Sequence, residues 1–344
     1  MDTRKMNVLV TIPDGELKEK FLTYETKRIL EERFSVKYNK TGRQYTQEEL
    51  KDEIDGTDIV ITGWGTPSFI RTKALQENDS IKMIAHTAGS IGDLLDDSAY
   101  QKGIKVVSGN RIFARSVAEG TLAYILSGLR SIPDIICGMR SNTKWIKSSD
   151  ADSKRLFGKT VGIIGYGMIS RDLVRLLKPF GVKVKVFSSY PMDVSFLESM
   201  NAEPANMEEV FSECSVISLH SALNRKTKGM IGKEHFELMK PGTLFINTAR
   251  GAIVRQDEMI KYFAEHPENK AFLDVYTVEP LEADSLLRSL PNVYTMPHQG
   301  GPTRDLYPII GREVVGDVLR FADGKPLRYE ISREHASVMT TNNI

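Results

Sequence analysis

The stretch VGIIGYGMIS, residues 161–170, combines residue types that could hold an anionic ligand. Apolar residues run into Gly165-Tyr166-Gly167, and the turn runs into RDLVRLLKPF, whose apolar residues recur at helical spacing. A glycine turn between strand and helix lets backbone N–H groups approach a pyrophosphate at the positive end of the helix. The same pattern can be an ordinary tight turn, but a βαβ unit of suitable length around it favours a dinucleotide. Ser170 stands at the third small position, where glycine or alanine is usual, and is small enough to keep most of the helix–strand packing. The next strand, VKVKVF, ends in Ser188-Ser189, where an acid would hold the ribose hydroxyls and an arginine would attract a 2′-phosphate. Ser188 does neither strongly, and no arginine follows before Arg225, so NAD or NADP is expected with weak discrimination.

Three later segments each end a predicted strand. NTARGAIV carries Arg250, LDVYTVEP carries Glu279, and YTMPHQGGPT carries His298. In open parallel sheets ligands bind outside the carboxyl ends of the strands, so these three side chains are expected at one mouth. A guanidinium grips a carboxylate in a planar, two-pronged way. An imidazole exchanges a hydroxyl proton near neutral pH, and a carboxylate beside it fixes the tautomer and favours the imidazolium. Each residue alone reads as a surface charge or a hydrogen-bonded core histidine; their joint placement makes them candidates.

The elements that must position them alternate. Strands are expected at 6–12, 35–38, 58–64, 81–86 and 104–108, with helices at 16–34, from a capping box at Thr46 and Glu49, and after Pro67. A long helix at 116–132 precedes a polar, irregular stretch to Phe157. A second series follows, with strands from Thr160, at 182–187, 214–220, 242–248, 270–275 and 292–296, and a last helix at 312–324. Strands separated by helices imply parallel sheets with right-handed crossovers. The expected fold is α/β, two doubly wound parallel-sheet domains with a cleft between them, the cofactor domain being of Rossmann type. The substrate domain is discontinuous, 1–115 plus 303–344, and the dinucleotide domain is 116–302.

Composition narrows the classes. The 344 residues suffice for two domains, and 41% apolar with 26% charged residues is ordinary for a globular chain. A formal net charge of +1 gives no reason to expect nucleic acid or an anionic membrane as a partner. The apolar run near the N-terminus is too short for a signal-peptide core, and no run reaches the ~18 residues of a membrane span. Cys137 and Cys214 fit neither a disulfide framework nor a metal cluster, so no metal is expected; each reads as a buried small hydrophobe in a reducing, cytoplasmic setting.

From Ser116 to Thr303 the chain resembles the D-isomer-specific 2-hydroxyacid dehydrogenases, through SVAEGTLAYIL, GIIGYGMIS, the block LHSALNRKTKGMIGKEHFELMKPGTLFINTARGAIV, LDVYTVEP and MPHQGG. Before Ser116 the likeness is that of the fold, plus HTAGS (86–90), which looks like the family's substrate-carboxylate loop. The resemblance implies hydride transfer between a nicotinamide dinucleotide and a small 2-oxo or 2-hydroxy acid. It implies that Arg250 orients the substrate, His298 is the acid/base, Glu279 supports it, and Gly89 and Ser90 meet the substrate carboxylate. Gly165, Gly167, Met168 and Ile169 would lie under the pyrophosphate, Ser188 beside the ribose, and Ser221, Thr248 and Gly300 along the cofactor, with Asp274 holding the carboxamide. Departures are Ser188 for Asp, Ser170 for Gly and Ala222 for a frequent Pro; the first leaves cofactor choice open. Formate dehydrogenases carry glutamine at the position of Glu279 and are set aside. Corepressors on the same fold retain Arg, Glu and His, and mark the alternative of a dinucleotide-sensing interaction protein. Helix 116–132, apolar on more than one face, is expected to be buried either in a core or against another chain, and the resemblance implies the second, a homodimer joined through the cofactor domains. TGWGTPSF (62–69) is the expected source of substrate selectivity, with Trp64 either capping the pocket or packed at a strand end.

Overall fold

The computed structural model describes residues 5–72, 75, 78–141, 145–147 and 152–341. The chain divides into two compact units, residues 1–113 with 302–344, and residues 114–301.

The first unit carries β1 (Asn7–Val10), β2 (Ser35–Tyr38), β3 (Ile59–Thr62), β4 (Met83–His86) and β5 (Lys105–Ser108). They form one parallel sheet in the order β2-β1-β3-β4-β5. Side chains alternate across a strand, and both faces here are apolar, as a sheet covered on both sides requires. Leu9, Val60, Ile84 and Val106 enter one core, while Val8, Val10, Ile59, Ile61 and Met83 enter another with Val314 and Val318. Trp64, just after β3, packs edge-to-face on Phe21, Phe113 and Tyr307 at centroid separations of 5.4, 5.7 and 5.9 Å. It is a packed aromatic at a strand end.

The second unit carries β6 (Thr160–Ile164), β7 (Lys183–Phe187), β8 (Ala202–Pro204), β9 (Val216–Leu219), β10 (Leu244–Asn247), β11 (Lys270–Leu273) and β12 (Val293–Thr295). All seven are parallel, in the order β12-β11-β10-β9-β6-β7-β8. The order reverses between β6 and β9, so the crevice for a ligand opens at their carboxyl ends. Strand residues Val161, Ile163, Val184 and Val216 pack with Leu173 and Val174 of helix Met168–Leu177 and with Ile125 and Leu129 of helix Asn110–Leu129.

Several expectations are corrected. Residues 16–34 form two helices, Glu16–Phe21 and Tyr24–Arg33, because Thr23 caps the second by accepting from the Thr26 N–H. The helix expected at 116–132 spans Asn110–Leu129, and Ser131 then turns the chain at φ 51°. The stretch expected to be irregular contains helix Ile132–Ser141, with Pro133 in its first turn, where no N–H partner is needed. None of that helix is buried, and its Cys137 is exposed, contrary to the reading from composition; Cys214 is buried and its thiol is pushed up to about 12 by burial. The short strand β8 has no counterpart among the expected strands: it ends in Pro204, which an edge strand tolerates. The last helix begins at Tyr307, five residues early, with a proline in its first turn. No single helix among the described residues is long and apolar enough to cross a membrane.

Candidate active site

The glycine turn connects β6 to helix Met168–Leu177. Gly165 has φ +104°, and a Cβ there would lie 2.6 Å from the backbone nitrogen of Ser221 after β9. Only glycine allows this conformation and this approach. Its N–H donates to the Phe187 carbonyl at the end of β7, and Ser221 Oγ lies 3.4 Å from the Ile164 carbonyl. The turn is therefore tied to the strands on both sides of it. Gly167 caps the helix without a side-chain hydrogen bond, and a Cβ there would meet nothing within 4 Å. Open space before uncapped helical N–H groups is what a pyrophosphate needs, so these residues fit a dinucleotide. Met168 and Ile169 are half-buried in the first turn of the helix. Ser170 does more than fill a small position: it is fully buried and its hydroxyl donates to the Gly165 carbonyl at 2.7 Å. Ser188 is half-buried, and its Oγ accepts from the Tyr190 N–H at 3.0 Å.

At the mouth of the other half of the sheet, His298 Nδ1 and Glu279 Oε2 are 2.7 Å apart, joining residues nineteen positions apart in sequence. Glu279 Oε1 accepts from the Tyr276 N–H at 3.0 Å. An ionised carboxylate only accepts, so Nδ1 carries the proton and Nε2 is the ring atom left for a reacting group. His298 has φ 55°, left-handed backbone that costs of order 1–3 kcal/mol away from glycine. The next two residues hold it there: Gln299 N–H and Gly300 N–H donate to Asp274 Oδ1 and Oδ2 at 2.7 and 2.8 Å. Tyr124, from helix Asn110–Leu129, donates a third bond to Asp274 at 3.1 Å. Burial pushes the Asp274 carboxyl above the ordinary range, against the opposing pull of the Gly300 and Gln299 N–H groups.

Arg250 follows β10 and donates from Nη1 to the Ala249 carbonyl at 2.6 Å. Asn247 braces the same turn, donating to the Arg250 carbonyl and accepting from the Ala249 N–H. A Cβ on Gly251 would sit 1.9 Å from the Tyr276 carbonyl carbon, so the Arg250 turn lies directly on the turn that leads to Glu279. Thr248 is buried, with its hydroxyl 3.1 Å from that of Thr121. Thr121 already donates to the Val117 carbonyl, so Thr248 is the donor of that pair. Gly89 and Ser90 belong to the first unit, after β4, where Ser90 Oγ donates to the Thr340 carbonyl at 2.7 Å.

Tyr124, Thr121 and His220 escaped the sequence reading. Tyr124 was legible only as one apolar residue among several in a helix. His220, at the end of β9, bonds Ser218 Oγ through Nε2 at 2.8 Å, and burial pushes it down to about 3, so it is a neutral imidazole.

A family model described as the NAD-binding domain of D-isomer-specific 2-hydroxyacid dehydrogenases matches residues 122–300. A D-3-phosphoglycerate dehydrogenase of Methanocaldococcus jannaschii is 30% identical over 287 residues, 81% of this chain; the chain spans about half, 52%, of that protein. A glyoxylate reductase of Thermococcus litoralis is 28% identical over 304 residues, 87% of this chain and 90% of that one. The crystal structure of the TT0316 protein from Thermus thermophilus superposes with a TM-score of 0.75 at 25% identity, covering 95% of this chain and all of that one.

The Asp274 anchor makes a prediction. Asp274→Asn keeps the volume but aims an amide donor at one of the two N–H groups. The amides of Gln299 and Gly300 should then exchange with deuterium roughly tenfold faster or more, while those of β9 and β10 stay unchanged.

Proposed function

The chain belongs to the D-isomer-specific 2-hydroxyacid dehydrogenase family, and from that premise we propose that it reduces small 2-oxoacids reversibly to D-2-hydroxy acids. The observation that carries the proposal is the 2.7 Å Glu279–His298 contact beside the Arg250 turn, on the sheet that also bears the glycine turn. In this reading the Arg250 guanidinium takes the substrate carboxylate and the C2 carbonyl oxygen, and Gly89 and Ser90 serve the carboxylate as well. A nicotinamide dinucleotide bound on residues 165–169 supplies the hydride for C2. His298 Nε2 gives its proton to the carbonyl oxygen as that oxygen becomes a hydroxyl, and Glu279 offsets the imidazolium charge beforehand. Ser188, Ser221, Thr248 and Gly300 line the cofactor. Asp274 meets the carboxamide with what is left of its acceptor capacity, since a carboxylate has about four lone-pair directions and three donors already use it.

The enzyme reading is preferred to dinucleotide sensing because the similar proteins are named as dehydrogenases and reductases; the Arg, Glu and His set is common to both readings. The site of action is proposed to be the cytoplasm, with no nucleic acid or membrane as a partner. The working form is proposed to be a homodimer joined through the second unit. Leu122 and Leu126 are only half-buried in one chain, and Ile132, Ile136 and Met139 are exposed along the next helix. That is more apolar surface on adjoining helices than a solitary chain has reason to keep.

Two substitutions test the chemistry with a panel of 2-oxoacids and each reduced cofactor. His298→Ala should lower kcat by roughly 10²–10⁴. Arg250→Ala should lower kcat/KM by about a hundredfold or more, through the lost charge-assisted bonds. Wild-type turnover in His298→Ala would defeat the mechanism, and a wild type that binds dinucleotide tightly but reduces no 2-oxoacid would favour the sensing reading. Light scattering should give a mass twice that of the 38.6 kDa chain; a mass near one chain would refute the dimer.

A further inference from the structure

The end of β7 offers a dinucleotide no acid and no arginine of its own, only Ser188 and Ser189. The fold brings a cation there from another element. Arg171 lies in the first turns of helix Met168–Leu177, and its guanidinium carbon stands 5.0 Å from the Tyr166 ring and 5.7 Å from the Phe196 ring. Tyr166 belongs to the glycine turn, whose Gly165 N–H is bonded to Phe187, the residue before Ser188. Phe196 lies in helix Val194–Ser199, the element that follows β7. The guanidinium thus spans from the glycine turn to the segment after β7, the place where an adenosine ribose is held in this type of sheet.

We propose that Arg171 selects the cofactor by binding the adenosine 2′-phosphate, so that the chain uses NADPH in preference to NADH. The inference rests on the dinucleotide reading above. Among the described residues, the Arg171 guanidinium makes no hydrogen bond; its nearest carboxylate oxygen, Asp193 Oδ2, is 3.8 Å from Nη2. An arginine presents five planar N–H donors matched to phosphate oxygens, and here the guanidinium lies over the Tyr166 and Phe196 rings. Asp193 is committed elsewhere through Oδ1, which accepts from the Phe196 N–H at 3.0 Å and Ser195 Oγ at 2.7 Å and so caps helix Val194–Ser199. Arg175, one turn further along, is paired with Asp172 at 2.6 Å and stacks on Phe196. Arg171 is the cation with capacity to spare. Ser188, being uncharged, does not oppose a phosphate beside it.

The test is calorimetric binding of two fragments, adenosine 2′,5′-bisphosphate and 5′-AMP, which differ in the 2′-phosphate alone. The wild type should bind the bisphosphate roughly tenfold to a hundredfold more tightly, the range of one or more charge-assisted hydrogen bonds. Arg171→Ala should erase that difference while 5′-AMP affinity stays within about twofold, and the NADPH-to-NADH ratio of kcat/KM should fall in parallel. Asp193→Asn, which keeps the helix cap, should tighten the bisphosphate severalfold by removing the competing charge, and serves if Arg171→Ala does not fold. Equal binding of the two fragments by the wild type, or an equal loss of both in Arg171→Ala, would overturn the inference and leave the dinucleotide reading standing. Binding of neither fragment, nor of NADPH or NADH, would overturn both.

Discussion

Burying a carboxylate is costly unless donors meet it, and three meet that of Asp274: the backbone N–H groups of Gln299 and Gly300 and the hydroxyl of Tyr124. That one group links the strand β11, the loop after β12 and helix Asn110–Leu129. The loop after β12 carries His298 in left-handed backbone, a conformation that lasts only where neighbours over-determine it. Here they do. With the two following residues pinned, the imidazole meets Glu279, which comes from the turn after the same β11. A buried side chain therefore sets the geometry of an exposed pair.

The other half of the sheet is governed by close approach. Gly165 can neither leave its positive φ nor accept a Cβ against Ser221, and the hydroxyl of Ser170 closes back on its carbonyl. The helix that starts at Gly167 keeps its first N–H groups uncapped as a consequence of that turn. Gly251 plays the corresponding part between β10 and β11, where its missing side chain lets the Arg250 turn rest on Tyr276. Glycine and carboxylate contacts of this kind fix backbone positions to fractions of an ångström, which orientation of a reacting group demands.

Much of this was legible from the sequence, for identifiable reasons. Strands buried on both faces, such as IVIT (59–62) and LFIN (244–247), are continuous apolar runs, and glycine turns and capping boxes are local signals. The box of Thr46 and Glu49 forms with both of its bonds. What stayed hidden was non-local. The break at Leu22–Thr23 depends on a cap that competes with helix continuation, and β8 is an edge strand with little apolar pattern. Helix Ile132–Ser141 has apolar residues at helical spacing, Ile132, Ile135, Ile136 and Met139, but Pro133 and Gly138 among them read as breaks in a helical pattern. Tyr124 and Arg171 act across helices and loops; neither has a local motif to announce it. Arg171 lies before β7, whereas the rule for reading cofactor choice looks after it.

The proposed proton transfer depends most on which nitrogen of His298 carries the proton. Nitrogen-15 NMR of the histidine-labelled protein, with His298 identified among its six histidines by His298→Gln, reads that directly. The Glu279 contact predicts the Nδ1–H tautomer for the neutral ring, with Nε2 bare, and loss of this preference in Glu279→Gln. A neutral ring protonated at Nε2, or one indifferent to Glu279→Gln, would contradict the pairing on which the proposed proton transfer rests.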